Sequence, residues 1–399
     1  MNEQIKQRIT QLNNGEVPNG YKKTEFGVFP CDWVTDKKLK DLGTFGKGKG
    51  LPGDKMVSEG VPCVGYGDIY MKYNHFHFEE AKTFVDEKTA AESQPIQKGT
   101  LLFTGTGETA EEIGKCVCYN GDETIYAGGD IITFKPKEVN SLFLAYQQYQ
   151  NFSLRKKASF GQGHSVVHIQ KNNLEKLNVA YPESAKEQSK IAEILMKWDG
   201  AIELQEQYIG ALENRKKFLM KKLLTPQKDW DYVLLGDICE IKTGRLDANA
   251  MEEDGVYPFF TCSKDVYRIN QYSFDGEALL MAGNGDIGDV KYYKGKFDVY
   301  QRTYVLSKFT FNIHYVMQYL LLNFDRDVMR GMQKSSMPYI KLDLLNKAKI
   351  YYNPSAVEST VRILSIVDKE IEFYIKNLEQ TKKQRKTLQQ YLLNGIVRV

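Results

Sequence analysis

The chain carries one helical phrase twice, ILMKWDGAIE at 194–203 and ILSIVDKEIE at 363–372, identical at five of ten positions. The match extends without a gap, residues 190–225 sliding onto 359–394 at a constant offset of 169. Both copies read as heptads. In the first, Leu195, Ile202, Ile209, Lys216 and Leu223 fall at one seam position and Trp198, Gln205, Leu212 and Leu219 at the other. In the second, Leu364, Ile371, Leu378, Arg385 and Leu392 alternate with Val367, Tyr374, Thr381 and Leu388. Mostly apolar a and d positions over about four heptads predict a long helix that needs a partner. At about 1.5 Å per residue, a helix of about 38 residues reaches about 57 Å. The other copy is the obvious partner, and the intervening text must bring the chain back, so antiparallel pairing is expected. Lys216 and Arg385 share one seam slot, and Asp199 and Asp368 sit just beside the seam.

The rest of the chain repeats more loosely. Residues 33–50 echo 230–245, with Asp41 opposite Asp237; GTLLFTGTGE (99–108) echoes EALLMAGNGD (277–286); 161–182 echoes 333–354. Each half reads as an opening strand, a variable middle, a Gly-rich strand end, a polar loop, a short strand and a long helix. The first middle is about 27 residues longer, since the offset falls from 196 to 169. LNNG (12–15) resembles LLNG (392–395), as though the N-terminus completes the last repeat. The expected fold class is α+β: two pseudo-repeated mixed α/β domains separated by two long antiparallel coiled-coil-like helices. The expected divisions are 1–20, a segment completing the repeat; 21–183, the first globule; 184–226, the first long helix; 227–355, the second globule; and 356–399, the last helix.

Composition narrows the class. A net charge of +3 neither demands nor excludes nucleic acid, because local basic patches suffice on a near-neutral chain. No apolar run approaches the roughly 20 residues of a membrane span, and the polar N-terminus lacks a signal-peptide apolar region; a cytoplasmic protein is expected. Six cysteines are scattered, and only Cys116 and Cys118 are close, as a C-x-C that would point both thiols to one strand face. No zinc-like spacing accompanies them, so no metal is expected. No Pro-Pro dipeptide offers the D/N-P-P-Y/F loop an adenine methyltransferase needs, and YYNPSA (351–356) departs from it. TGTGE and AGNGD match neither the dinucleotide nor the Walker pattern; each is a tight turn, alone or beside a ligand. No catalytic residues are assigned.

The ordered duplication of globule plus long helix resembles the specificity subunit of type I restriction-modification enzymes over essentially the whole chain. GYKKTEFGVFPCDW (20–33), PCVGYGDIYMKY (62–73), LLFTGTGET (101–109), the 257–293 segment and the paired ILxxxDxxIE helices carry the resemblance. It implies a non-catalytic protein whose two globules each read one half of a split double-stranded DNA site. The helices would set the spacer, about 17 base pairs for a 57 Å rod. They would also dock two adenine methyltransferase subunits and, in the full complex, restriction/translocase subunits. S-adenosylmethionine, ATP and Mg would belong to those partners, and this chain would hold no cofactor. The alternatives are a self-contained methyltransferase or nuclease, and a protein-binding scaffold.

Reading DNA needs cations for phosphates and Arg, Asn, Gln, Ser or Thr for base edges. In the first globule the candidates are Lys47 and Lys49; Tyr66, Lys72 and Tyr73; and Arg155, Lys156, Lys157, Gln162, His164 and Ser165 in a loop. In the second they are Lys242, Thr243 and Arg245; Thr261, Ser263 and Lys264; Asn284; Arg302; and Lys334, Ser335, Ser336 and Tyr339. Each loop could equally be a solvated turn, and Arg302, read on a strand between aromatics, could be a core ion-pair partner. Basic runs end both long helices (215–222 and 382–386), where they favour the macrodipole or meet a partner.

Overall fold

A computed structural model of the chain describes all residues except 1, 2, 52, 74, 75, 164, 165, 286 and 328–338, with the backbone alone at 325–327. Contacts divide the chain into two units: Met1–Leu204 with Leu378–Val399, and Gln205–Asn377. The long helices, Ala185–Leu224 and Val357–Leu393, are thus shared, each unit holding one globule and a stretch of both.

In the first unit a five-stranded sheet runs in the order 43–47, 131–136, 100–104, 116–119, 77–78, and a second in the order 56–57, 83–85, 61–64, 125–127, 94–96. The run TLLFT at 100–104 is buried throughout, an apolar centre between two threonines, because both faces of its sheet are covered. Leu101 and Phe103 point into a core with the helix Ser141–Gln147 and the long helices, while Leu102 points into the core with Val64, Ile125 and Ile131. Cys116 and Cys118 do share one face, that of Leu101 and Phe103. Burial pushes both thiols up, Cys118 to about 12, so they are neutral packing groups.

The second unit has one six-stranded sheet in the order 240–243, 303–307, 274–282, 290–299, 257–260, 266–269. The same alternation holds: Leu279 and Met281 face the helix Ile313–Asp327, Ala278 and Leu280 the opposite core. Helices 141–147 and 313–327 begin alike. Asn140 Oδ1 accepts from Phe143 N at 3.0 Å and Asn312 Oδ1 from Tyr315 N at 3.2 Å, each an Asn N-cap.

Within each unit the two long helices run antiparallel, since the start of one meets the end of the other. Every seam position is buried or half-buried: Leu195, Trp198, Ile202, Ile209, Leu212 and Leu219 on one helix, and Leu364, Val367, Ile371, Tyr374, Leu378 and Leu388 on the other. Two ion pairs fix the register. In the first unit the Arg385 guanidinium forks onto Asp199, Nε to Oδ1 at 2.7 Å and Nη2 to Oδ2 at 3.1 Å. In the second, Lys216 Nζ lies 2.6 Å from Asp368 Oδ1. These are the residues of one repeat slot exchanged between helices. Each aspartate also accepts from its globule, Asp199 from Tyr146 OH and Asp368 from Gln318 Nε2, both at 2.7 Å.

The helix Glu3–Asn13 and the helix ending at Leu393 stop the same way. Gly15 N donates to Leu12 O and Glu16 N to Gln11 O; Gly395 N donates to Leu392 O and Ile396 N to Tyr391 O. Both glycines lie in the left-handed region, at φ of 77° and 67°. The chain's two ends meet in the first unit through Arg8 Nη1 to Ile396 O at 3.1 Å and Tyr21 OH to Gly395 O at 2.6 Å. Arg398 joins them, donating to both Asp32 and Glu187.

The two ion pairs differ in exposure, and the difference sets their worth. The Asp199 and Arg385 side chains are 5% and 8% exposed, against 34% and 23% for Asp368 and Lys216. Arg385→Ala leaves a buried carboxylate unpaired and is expected to cost about 3–5 kcal/mol. Lys216→Ala is expected to cost about 1 kcal/mol or less. Urea denaturation of the two variants checks the ordering.

Candidate nucleic-acid interface

In each unit the predicted loops are drawn together by backbone hydrogen bonds, and the pattern is the same in both. In the first unit Gly105 N donates to Asp130 O at 2.6 Å, Gly128 N to Val64 O at 2.9 Å, Gly129 N to Gly50 O at 2.9 Å and Ile169 N to Gly105 O at 2.9 Å. In the second, Gly283 N donates to Arg302 O at 2.9 Å, Tyr300 N to Phe260 O at 2.9 Å, Gln301 N to Leu246 O at 2.8 Å and Ile340 N to Gly283 O at 2.9 Å. Two further bonds support the base of this frame: Leu39 N to Leu177 O matches Leu235 N to Ala348 O, and Lys137 N to Leu42 O matches Thr310 N to Ile238 O. Buried amides must be paired, and here the pairing sets which loops share a surface. Ile169 is thereby equivalent to Ile340, and buried Leu174 to buried Leu345, one residue off the 161–182 and 333–354 register read from sequence.

The frame needs glycine where strand ends touch. A Cβ on Gly48 would lie 1.7 Å from Gly128 O, and one on Gly244 would lie 2.0 Å from Val299 O. Around the second frame is an open recess of about 340 Å³ lined by Thr243, Gly283, Gln301, Arg302, Tyr304, Tyr339 and Ile340. Four loops predicted separately thus meet there. The Thr261–Lys264 loop adjoins them, with Cys262 Sγ on Arg302 O and Lys291 Nζ holding the Ser263 and Lys264 carbonyls at 2.7 and 2.8 Å. In the first unit, Gln162 pairs with His168 and Thr106 Oγ1 lies 3.2 Å from His168 Nδ1. An opening of about 730 Å³ beside Thr106 is walled by Tyr66, Tyr70, three glutamates (108, 111 and 112) and two lysines (115 and 157).

The predicted residues divide. Lys47, Lys49, Tyr66, Arg155, Lys156, Gln162, Lys242, Thr243, Arg245, Lys264, Arg302 and Tyr339 are exposed; Thr261, Ser263 and Asn284 are half-buried. Lys72 is exposed but tied to Asp68 at 2.8 Å and Thr83 at 2.6 Å. Lys242 and Lys308 bracket Glu240 and hold its carboxyl down to about 2, so the Lys242 charge is offset. His164, Ser165, Lys334, Ser335 and Ser336 lie outside the described residues.

Three expectations are corrected. Lys157 is 1% exposed, its Nζ donating to Gly114 O at 2.8 Å over the Tyr149 ring, and is a core residue. Tyr73 is 3% exposed, stacked on Phe78 and accepting from Lys82 N. The 151–160 stretch is a helix rather than a loop, with Arg155 and Lys156 on its outer face and Lys157 on its inner. Arg302 sits in the turn before strand Thr303–Ser307, out of the core. The turn at 127–130, AGGD, was not singled out from sequence; its Gly-Gly before an apolar strand was the available signal. No three His, Cys, Asp or Glu among the described residues could hold a metal, and no described helix is long and apolar enough to cross a membrane.

The type I restriction modification DNA specificity domain model matches residues 30–214 and 227–385. The chain belongs to that type I DNA specificity family. Its two matched segments each carry one copy of the frame. Among specificity relatives, the EcoDI specificity subunit of Escherichia coli is 35% identical over 164 residues, 41% of this chain and 35% of that one. The MjaVIII specificity subunit of Methanocaldococcus jannaschii is 25% identical over 353 residues, 76% of this chain and 80% of that one. The crystal structure of a type I S subunit from M. genitalium shares the fold, with a TM-score of 0.62 at 16% identity over 94% of this chain and 97% of that one.

Two measurements follow from the geometry. Gly48→Ala and Gly244→Ala should each destabilise by about 1–3 kcal/mol, in calorimetric scans of the full chain. Burial brings Lys157 down to about 8 from 10.5. Between those values the unfolded chain binds the extra proton at this group, so the contribution of Lys157 to stability rises with pH there. Lys157→Met should remove that rise, read as the difference between urea midpoints at pH 7.5 and 10 for variant and wild type.

Proposed function

We propose that each unit sets its loop frame against one half of a split double-stranded DNA site, and that the paired helices fix the separation of the halves. The carrying observation is the frame itself. The same backbone hydrogen bonds are built twice and hold dissimilar side chains, Lys49 and His168 in one unit where Arg245 and Tyr339 stand in the other. A repeated frame with unlike contacts is what reading two different half-sites requires, since phosphate contacts position and base contacts specify.

Docking of methyltransferase subunits belongs on the helices. In the second unit Phe218, Ile366 and Phe373 are 64%, 59% and 59% exposed, large apolar surface that helix pairing leaves uncovered. S-adenosylmethionine, ATP and Mg would then be held by partner subunits, and this chain would supply the address. Methylated adenines mapped in cells co-expressing the chain with its modification subunit should define one split motif with a fixed spacer. Adding whole helical turns to both long helices should lengthen the spacer and leave the half-sites unchanged. Altered half-sites after that insertion would refute the ruler, and no DNA retention at low salt with the methyltransferase present would refute the DNA reading.

A further inference from the structure

The two frames hang opposite chemistry on one backbone hook. The carbonyl that receives the Gly105 amide belongs to Asp130; the carbonyl that receives the equivalent Gly283 amide belongs to Arg302. Their neighbours correspond as well, Gly128 and Gly129 against Tyr300 and Gln301. Both side chains are exposed at the centre of the loop cluster, and neither makes a hydrogen bond or ion pair with another described residue. Arg302 lines the recess of about 340 Å³ with Thr243, Gln301 and Tyr339. Asp130 stands at φ 61°, where a short polar side chain is tolerated best, so its placement is fixed by the frame.

An ionised carboxylate only accepts hydrogen bonds and a guanidinium only donates. Beside a phosphate backbone an unpaired carboxylate is repelled, so an exposed aspartate on such a face has to meet donors. In the major groove the donors are the exocyclic amino groups of cytosine and adenine, whereas an arginine fork matches guanine O6 and N7. We infer that this one frame position determines specificity in both units, Asp130 selecting an amino-bearing base in one half-site and Arg302 selecting guanine in the other. The inference rests on the DNA reading above.

The test uses the full chain in complex with its modification subunit, on a DNA library randomised across both half-sites and read by sequencing of methylated adenines. Arg302→Lys keeps the charge and loses the fork. It should weaken the preference for guanine at one position of one half-site about ten-fold or more, with the other half-site unchanged. Asp130→Asn keeps the left-handed backbone and adds donors. It should relax one position of the other half-site, and whether cytosine or adenine is lost there identifies the amino group. Wild-type base preferences retained at every position by both variants would overturn the inference, as would an even loss of affinity across all sequences. If the wild-type complex selects a split site and the variants leave it unaltered, this inference alone fails; if the wild type selects no sequence, the DNA reading fails with it.

Discussion

Two ion pairs, Asp199 with Arg385 and Asp368 with Lys216, hold together what the chain separates by more than a hundred residues. Each joins three elements, because its aspartate also accepts from a helix of the neighbouring globule, Tyr146 in one unit and Gln318 in the other. An apolar seam alone resists slippage weakly, since one heptad resembles the next. A charge fixed at one seam slot costs stability in every register but one, and so specifies it. In the first unit the cost is met thoroughly: the guanidinium forks onto Asp199, donates to Gln389 and lies over the Phe76 and Tyr146 rings. The half-buried pair of the second unit has water to share the work. The same device thus sets helix register and globule orientation at once within each unit.

Much of this architecture was legible because its signals are periodic. The constant offset of 169, the heptads, the C-x-C alternation and the shared LNNG and LLNG endings all survive as observed features. The antiparallel contacts within each unit also agree with an expectation drawn from chain return alone. Where reading failed, the deciding force was tertiary. Lys157 sits in a basic run that looks solvated, yet helix 151–160 turns one lysine of that run inward, where Gly114 O and the Tyr149 ring receive it. Tyr73 belongs to a tyrosine-rich stretch of which Tyr66 is exposed, but stacks on Phe78 in the core.

The loop frame was illegible for a different reason. Its members share almost no letters: AGGD stands where VYQR stands in the other half. Backbone amides and carbonyls form the frame, and they are present whatever the side chain. Selection on the frame therefore leaves no trace in residue identity except at glycine, where close approach forbids a Cβ. Gly48 and Gly244 are such positions, and so is Gly283, while at Gly105 a Cβ would be tight against Asp130 O at 3.0 Å; Gly105 and Gly283 each both donate and accept within the frame. The Gly-rich strand ends noticed in sequence were the visible tips of that constraint.

The changing offset between the halves has the same physical origin. Equivalent frame points are separated by 196 residues at Gly50 and Leu246, 178 at Gly105 and Gly283, 172 at Asp130 and Arg302, 171 at Ile169 and Ile340, and 169 on the helices. Length is lost only between frame points. Lengthening a surface connection costs little, about 0.6 kcal/mol for each doubling, whereas moving a frame point strands buried amides. The largest drop, between the Gly50 and Gly105 points, falls where the first unit builds an extra five-stranded sheet and the second does not. A fold that confines variation to the text between fixed hydrogen bonds can alter the side chains it presents while keeping the surface that presents them.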